Sequence, residues 1–135
     1  METVKDHYDS FLGPVYSWIL GDFDKARAKN VAFFASLDLS PVENAIAVDL
    51  GCGPGCQSLP VAELGYEVLA IDFCQDLLDE LGEHAGDLPV RRVCDDIANF
   101  RSHMSDPADL IVCMGDTLVH LPDNETVELL IRDVC

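Results

Sequence analysis

The chain is 135 residues long and 49% hydrophobic, which predicts one compact domain, residues 1–135, with a substantial core. Acidic residues outnumber basic ones 25 to 8, and the formal charge of -17 would repel nucleic-acid phosphates and anionic lipid surfaces alike. We therefore expect neither a nucleic-acid partner nor a membrane partner.

The N-terminal stretch METVKDHYDS contains no apolar signal core, and no apolar run approaches the length that spans a membrane. We expect a cytoplasmic protein with reduced thiols. Of the six cysteines, only Cys52 and Cys56 lie within a few residues of each other, so the paired Cys-x-x-Cys spacing of zinc sites is missing. The sequence predicts no metal site.

Two helical stretches open the chain, and we assign residues 1–40 to N-terminal cap helices. The stretches are DHYDSFLGPVYSWIL and DFDKARAKNVAFFASLDL, broken at Gly13-Pro14 and at Gly21. The first stretch concentrates four aromatic side chains: Tyr8, Phe11, Tyr16 and Trp18. Buried aromatics are common, which favours packing of these rings in the core, and the alternative is a lid over a ligand.

Residues 41–135 alternate between short β-branched segments and helical patterns, which is typical of a parallel α/β sheet. The predicted strands are residues 45–50, 66–72, 88–94 and 108–114. The segment QSLPVAELG predicts a helix after the first strand, and the next helix buries Leu77, Leu78, Leu81 and Ala85. After the fourth strand, Asp123 is expected to cap a helix whose apolar face carries Val127, Leu130, Ile131 and Val134. The link of residues 95–107 has weak periodicity, and its helix is left open.

Acidic residues stand where these strands end. In VDLGCGPG, residues 48–55, Asp49 precedes a glycine loop; Asp72 ends the second strand, and Asp95 and Asp96 follow the third. Open α/β sheets bind ligands at the carboxyl ends of their strands, so we expect these acids to share one binding crevice.

The glycine loop suggests three kinds of nucleotide ligand. A phosphate-binding P-loop is dismissed, because GCGPGCQS does not place Lys and Ser or Thr directly after its last glycine. A dinucleotide fingerprint would have its third glycine at position 56, where this chain has Cys56. Asp72 suits the ribose of a dinucleotide and that of another adenosine ligand equally well. An acid beside the loop opposes a pyrophosphate but favours an ammonium or sulfonium group, which points to S-adenosylmethionine.

VDLGCGPG resembles the first signature, acid-x-Gly-x-Gly-x-Gly, of the class I S-adenosylmethionine-dependent methyltransferases, and the resemblance covers nearly the whole chain. It implies a Rossmann-like doubly wound α/β sheet with strand order 3-2-1-4, whose cofactor-binding half is residues 41–135. It also implies S-adenosylmethionine as cofactor. The implied contacts with the methionine moiety are Asp49, Gly51 and Gly53. Asp72 is implied at the ribose, and Asp96 (or alternatively Asp95) with Ile97 at the adenine. The remaining implied cofactor contacts are Cys113, Met114 and Gly115, from DLIVCMGDTLVHL, together with Cys52 and Phe73.

The segment YDSFLGPVYSWILGDF is similar to the N-terminal cap of small-molecule members, which implies that Tyr8, Tyr16 and Trp18 partly cover cofactor and substrate. The implied reaction transfers the sulfonium methyl group to a small-molecule acceptor by in-line displacement, with positioning and exclusion of water supplying much of the acceleration. No protein nucleophile is required. If the acceptor needs a base, Asp116 and His120 are the candidates, because both follow the fourth strand.

Members of this family continue through further strands, whereas this chain stops at Cys135 after one helix. We therefore expect a fragment, or a natural truncation that forms a homodimer or aggregates through the apolar edge of the fourth strand. Two other functions stay open. One is a non-catalytic module that binds the cofactor or a partner protein, and the other is a nucleotide-linked oxidoreductase, which would share the sheet and Asp72.

Overall fold

The computed structural model describes residues 3–12, 15, 18, 21–115 and 117–135, with the backbone alone at Tyr8 and Leu12. Within these residues, four parallel strands form one sheet in the order β3-β2-β1-β4. The strands are β1 Ile46–Leu50, β2 Glu67–Asp72, β3 Val90–Cys94 and β4 Leu110–Val112. The predicted order 3-2-1-4 is confirmed.

Helices pack on both faces of the sheet, as expected of a doubly wound fold. The α-helices are α1 Val4–His7, α2 Phe23–Ser36, α3 Ser58–Glu63, α4 Gln75–Ala85 and α5 Asn124–Val134. A π-helical turn follows α1 at Tyr8–Leu12, and 3-10 helices span Ile97–His103 and Leu118–His120. The link after β3, left open by the sequence, thus contains a 3-10 helix. None of the helices in the described part of the chain has the length and apolarity to cross a membrane.

Alternate residues of β1 and β2 point to opposite faces and so enter two separate cores. One core packs the sheet against α2, α3 and α4, and includes Phe34, Ala47, Leu59, Val68, Ala70, Leu78 and Leu81. The other packs the sheet against the first 3-10 helix and α5, and includes Val48, Leu50, Leu69, Ile71, Ile97, Phe100 and Leu130. Asp49 lies between Val48 and Leu50 in the strand, so its side chain is on the α3 side of the sheet.

The predicted helices after β1, β2 and β4 are present. α4 buries the four residues expected of it, Leu77, Leu78, Leu81 and Ala85. Asp123 caps α5, because its Oδ1 accepts a 2.7 Å hydrogen bond from the Thr126 amide. Of the predicted apolar face of α5, Leu130 is buried, whereas Ile131 is 50% exposed and Val134 is 40% exposed.

β4 is shorter than predicted, with three residues instead of the expected 108–114. Asp109 marks its start, because its amide donates to the Ile46 carbonyl and its Oδ2 accepts from the Ile46 amide. Beyond Val112 the chain leaves the sheet and reaches Gly115, whose φ of 74° is a turn conformation. The apolar run therefore extends past the segment that pairs with β1.

In the first helical stretch, the two aromatic side chains that the structure describes do not join the core, contrary to the interpretation that the sequence favoured. Phe11 is 61% exposed and Trp18 is 83% exposed. The predicted break at Gly21 is confirmed, since Gly21 has a φ of 81° and Asp22 caps α2. Tyr16 and the predicted break at Gly13-Pro14 lie outside the described residues.

Candidate functional site

A cavity of about 880 Å³ lies at the carboxyl ends of the strands, where open α/β sheets bind ligands. Its lining includes Gly51, Gly53, Asp72, Phe73, Asp96, Ile97 and His120, all of them candidates from the sequence. Asp95, the alternative to Asp96, lines it as well. The structure thus brings these residues together in one place, and their individual roles stay predictions.

The other candidates that the structure describes do not line the cavity. Asp49 and Cys52 are buried, with 1% and 2% of their surface exposed. Met114 packs against the core on the α3 side, and neither Gly115 nor Trp18 lines the cavity. Asp116 and Tyr16 lie outside the described residues, as does the side chain of Tyr8.

The glycine loop, residues 51–55, is shaped by left-handed backbone and close packing. Gly51, Gly53 and Gly55 have φ angles of 74°, 52° and 101°, a region that side chains disfavour. A Cβ atom on Gly51 would lie 2.4 Å from Thr117 Cγ2, and one on Gly55 would lie 2.2 Å from Leu81 Cδ1. The loop therefore requires glycine both for its conformation and for its contacts with α4 and the segment after β4.

Asp72 ends β2 and is held by the backbone on either side. Its Oδ2 accepts from the Gly53 amide and its Oδ1 from the Cys74 amide, both at 2.9 Å. Burial raises the pKa of this carboxyl, and the hydrogen bonds from the Cys74, Gly53 and Phe73 amides oppose the rise. Each carboxylate oxygen accepts more than one hydrogen bond, so both can still take hydroxyl donors from a ligand.

Asp49 is a buried carboxyl with one unsatisfied oxygen. Its Oδ2 accepts a 2.6 Å hydrogen bond from the Ser58 hydroxyl, whereas Oδ1 has no partner among the residues that the structure describes. Burial raises the pKa of Asp49 to about 7; the charge of Asp72 adds to the rise, and the bond from Ser58 opposes it. A buried polar atom without a partner costs about 1–3 kcal/mol. Asp49 Oδ1 thus marks a position, directly before the glycine loop, that a donor or a cation would satisfy.

Asp95 and Asp96 follow β3 and use their oxygens differently. Asp95 Oδ1 accepts from the Asp96 amide at 2.7 Å and from Asn99 Nδ2 at 3.1 Å, and its Oδ2 lies 2.7 Å from His103 Nε2. These bonds, with His103 foremost, lower the pKa of Asp95. Asp96 Oδ1 caps the 3-10 helix by accepting from the Ala98 amide at 2.9 Å, and Asp96 Oδ2 accepts no hydrogen bond from the described residues. Asp96 therefore has the more available carboxylate.

The cavity wall that follows β4 is mostly apolar and consists of Thr117, Val119, His120, Leu121 and Pro122. Thr117 fixes this wall, because its hydroxyl donates to the Met114 carbonyl at 3.0 Å and its side chain lies directly over Gly51. Apolar walls with a few polar groups are typical of sites for small organic ligands. The segment after β4 thus provides a hydrophobic surface beside the glycine loop.

Sequence reasoning missed several lining residues, namely Thr3, Val4, Lys5, Leu77 and Cys94. Lys5 forms an ion pair with Asp9, which raises the pKa of the lysine. Oppositely charged residues four apart are a general feature of helices, so this pair gave no signal of a cavity. Cys94 ends β3, and its thiol donates to the Phe73 carbonyl at 3.6 Å. The apolar character of Leu77 predicted its helix but not its contact with the cavity.

Within the described residues, no group of three or more His, Cys, Asp or Glu side chains is arranged to hold a metal ion. Burial raises the pKa of the Cys52, Cys74 and Cys113 thiols, and raises that of Cys56 to about 11. These four thiols are therefore protonated at neutral pH, whereas metal binding and nucleophilic attack require the thiolate.

Comparisons with known sequences agree with this geometry. Residues 47–133 match a family model described as "Methyltransferase domain". The ubiquinone biosynthesis O-methyltransferase of Methylococcus capsulatus is 34% identical over 83 residues, which are 60% of this chain and 35% of that protein. The protein of the same name from Proteus mirabilis is 29% identical over 82 residues, 59% of this chain and 33% of that protein. The chain thus spans about a third of the length of these curated relatives.

Solved structures share the fold. The magnesium protoporphyrin IX methyltransferase of Synechocystis PCC 6803, solved with bound SAM, has a TM-score of 0.72 at 23% identity, covering 97% of this chain and 68% of that one. TehB from Haemophilus influenzae has a TM-score of 0.62 at 26% identity, covering 78% of this chain and 35% of that one. At 23% identity, the similarity to the Synechocystis structure shows a shared fold alone.

Proposed function

The chain belongs to the class I S-adenosylmethionine-dependent methyltransferases, and we propose that its cavity binds S-adenosylmethionine and that the whole protein methylates a small-molecule acceptor. The observation that carries this proposal is the setting of Asp72, a buried carboxylate that lines the cavity and is fixed by the Gly53 and Cys74 amides. A carboxylate at the end of the second strand can accept hydrogen bonds from both hydroxyls of an adenosine ribose.

The residues around the glycine loop fit the methionine part of this ligand. Asp49 has a buried oxygen without a partner, and a negative charge there attracts the ammonium and sulfonium groups. The pKa of about 7 means that Asp49 is poised to ionise when a cation approaches. The glycines at 51 and 53 leave backbone, without side chains, at the cavity surface.

We assign the adenine to Asp96 and Ile97, with Asp95 in a supporting role. Asp96 Oδ2 accepts no hydrogen bond from the described residues and keeps its full capacity for the 6-amino group, whereas each oxygen of Asp95 already accepts at least one. Ile97 and Phe73 line the cavity on this side and supply apolar surface for the purine rings.

The acceptor is proposed to be an organic molecule methylated at oxygen. Both curated relatives are named O-methyltransferases, and the apolar wall after β4 suits an organic acceptor. When bound, S-adenosylmethionine supplies a methyl group on a positively charged sulfur. The residues of the chain orient the reactants and exclude water. His120 is the proposed base for the acceptor hydroxyl, because it lines the cavity; Asp116, the second candidate, is outside the described residues.

Thermal unfolding with candidate ligands tests the ligand class. A ligand at a hundred times its dissociation constant stabilises the native state by about 2.7 kcal/mol, enough to raise the unfolding midpoint of a small domain by several degrees. We expect S-adenosylmethionine and S-adenosylhomocysteine to raise the midpoint and NAD⁺ and NADH to leave it unchanged. A shift with NADH alone would contradict the proposal and support the oxidoreductase. Cofactor binding without product in a methyl-transfer assay would favour the non-catalytic module.

A further inference from the structure

A histidine outside the cavity lining is connected to the adenine side of the site. His103 ends the 3-10 helix Ile97–His103, and its Nε2 lies 2.7 Å from Asp95 Oδ2. The two side chains are partly buried, with 24% and 31% of their surface exposed. The hydrogen bonds that Asp95 accepts lower its pKa, which favours the ionised carboxylate. An ionised carboxylate can only accept hydrogen bonds, so the imidazole Nε2 is the donor of this pair.

The second oxygen of Asp95 links this pair to the cavity. Oδ1 accepts from the Asp96 amide at 2.7 Å, so the place of Asp95 determines the place of the peptide that carries Asp96. The Asp95 amide donates to the Asp72 carbonyl at 3.1 Å, which ties the preceding peptide, between Cys94 and Asp95, to the end of β2. His103 is itself anchored, because Arg91 Nη1 donates to its carbonyl at 2.8 Å. A continuous chain of hydrogen bonds thus runs from β3 through His103 to Asp96.

We propose that His103 is a positioning residue for the adenine site: through Asp95 it directs the Asp96 carboxylate toward the 6-amino group of the purine. This inference rests on the proposed function. Asp72, Asp95 and Asp96 all line one cavity, so an Asp95 without its partner would be a charge repelled by its neighbours. The hydrogen bond from His103 Nε2 keeps Asp95, against that repulsion, in the orientation that holds the Asp96 amide.

Two ligands separate positioning of the adenine from general loosening of the site. S-adenosylhomocysteine has an amino group where S-inosylhomocysteine has a carbonyl oxygen, which cannot donate to Asp96. By calorimetry, the wild type should prefer the adenosyl ligand by about tenfold or more, the order of one charge-assisted hydrogen bond. His103→Leu should weaken adenosyl binding by about tenfold and inosyl binding by less than about twofold. His103→Gln, which keeps an N–H donor, should restore most of the preference.

His84→Gln is the matched control, because His84 also pairs with a carboxylate, but its partner Glu80 does not line the cavity, whereas Asp95 does. Its ligand preference should equal that of the wild type. An unchanged preference in His103→Leu, or an equal loss of both ligands, overturns the positioning role. Failure of the wild type to bind either ligand refutes the proposed function instead. If His103→Leu does not fold, His103→Asn, whose amide is too short to reach Asp95, takes its place.

Discussion

Asp49 titrates in the neutral range because burial raises its pKa to about 7 from an ordinary value of 3.8. Between these values the folded protein binds more protons than the unfolded chain, so stability falls as the pH rises through this window. The stability that depends on the protonated form of Asp49 is fully present below about pH 4 and is lost by about pH 7. Asp49→Asn removes this titration. Relative to the wild type, the free energy of unfolding of the variant should therefore rise by roughly 1 kcal/mol per pH unit between about pH 5 and 7.

Urea unfolding at several pH values within this window measures the effect. Asp79→Asn is the control, because Asp79 is exposed on α4 and its Oδ1 accepts a hydrogen bond from Gln75. Asp79→Asn should not reproduce the gain in stability of Asp49→Asn. Parallel stability curves for the wild type and Asp49→Asn would show that Asp49 does not titrate in this range.

The acids of the site could be predicted from the sequence, but their partners could not. Asp49, Asp72 and Asp96 stand at strand ends that the glycine loop and the alternation of elements make visible. The pairing of Asp95 with His103 depends on how a 3-10 helix turns back on its own start. Weak periodicity in that segment gave no indication of this geometry.

At the scale of elements, the junction between the glycine loop and α4 leaves no room for a side chain. A Cβ on Gly55 would lie 2.2 Å from Leu81 Cδ1, whereas a Cβ on Gly86, also at positive φ, would meet nothing within 4 Å. We expect Gly55→Ala to lower the free energy of unfolding by about 2–4 kcal/mol and Gly86→Ala by about 1–2 kcal/mol. The difference, measured by urea unfolding, is the cost of the clash. Equal losses would indicate that α4 shifts freely away from the loop.

Strands inside the sheet were easier to predict than elements at its edges. β1 and β2 are apolar runs buried between two layers of helices, and each agrees with its prediction within one residue. β4 has a neighbour on one side only among the described residues, and of the seven residues predicted for it three are in the strand. Hydrophobicity predicts burial, but the length of a strand is set by the backbone of its neighbour.

The two edges of the sheet differ in charge, which bears on how whole molecules associate. β3 carries Arg91 and Arg92 at one edge, whereas β4, Leu110–Val112, has no charged residue. Charged side chains discourage strand pairing between molecules. Association through β4 therefore stays a prediction, and the shortness of the strand limits the hydrogen bonds that it could form.

Across the whole molecule, the charge pattern and the fold favour the same ligand. Three carboxylates, Asp72, Asp95 and Asp96, line the described cavity with Lys5 as the one lysine or arginine, and the chain as a whole carries a formal charge of -17. A pyrophosphate would be repelled by this surface, whereas an adenosine bearing cationic groups would be attracted.

Calorimetric titration with S-adenosylmethionine tests most directly the claim that the four strands hold a cofactor site organised on Asp72. The wild-type chain is expected to bind, and Asp72→Ala to bind at least about fiftyfold more weakly, because it loses hydrogen bonds to a charged acceptor. Asp79→Ala, on the exposed face of α4, should bind like the wild type. Circular dichroism verifies that each chain is folded. Equal affinity of the wild type and Asp72→Ala, or no binding by a folded wild-type chain, would contradict the account.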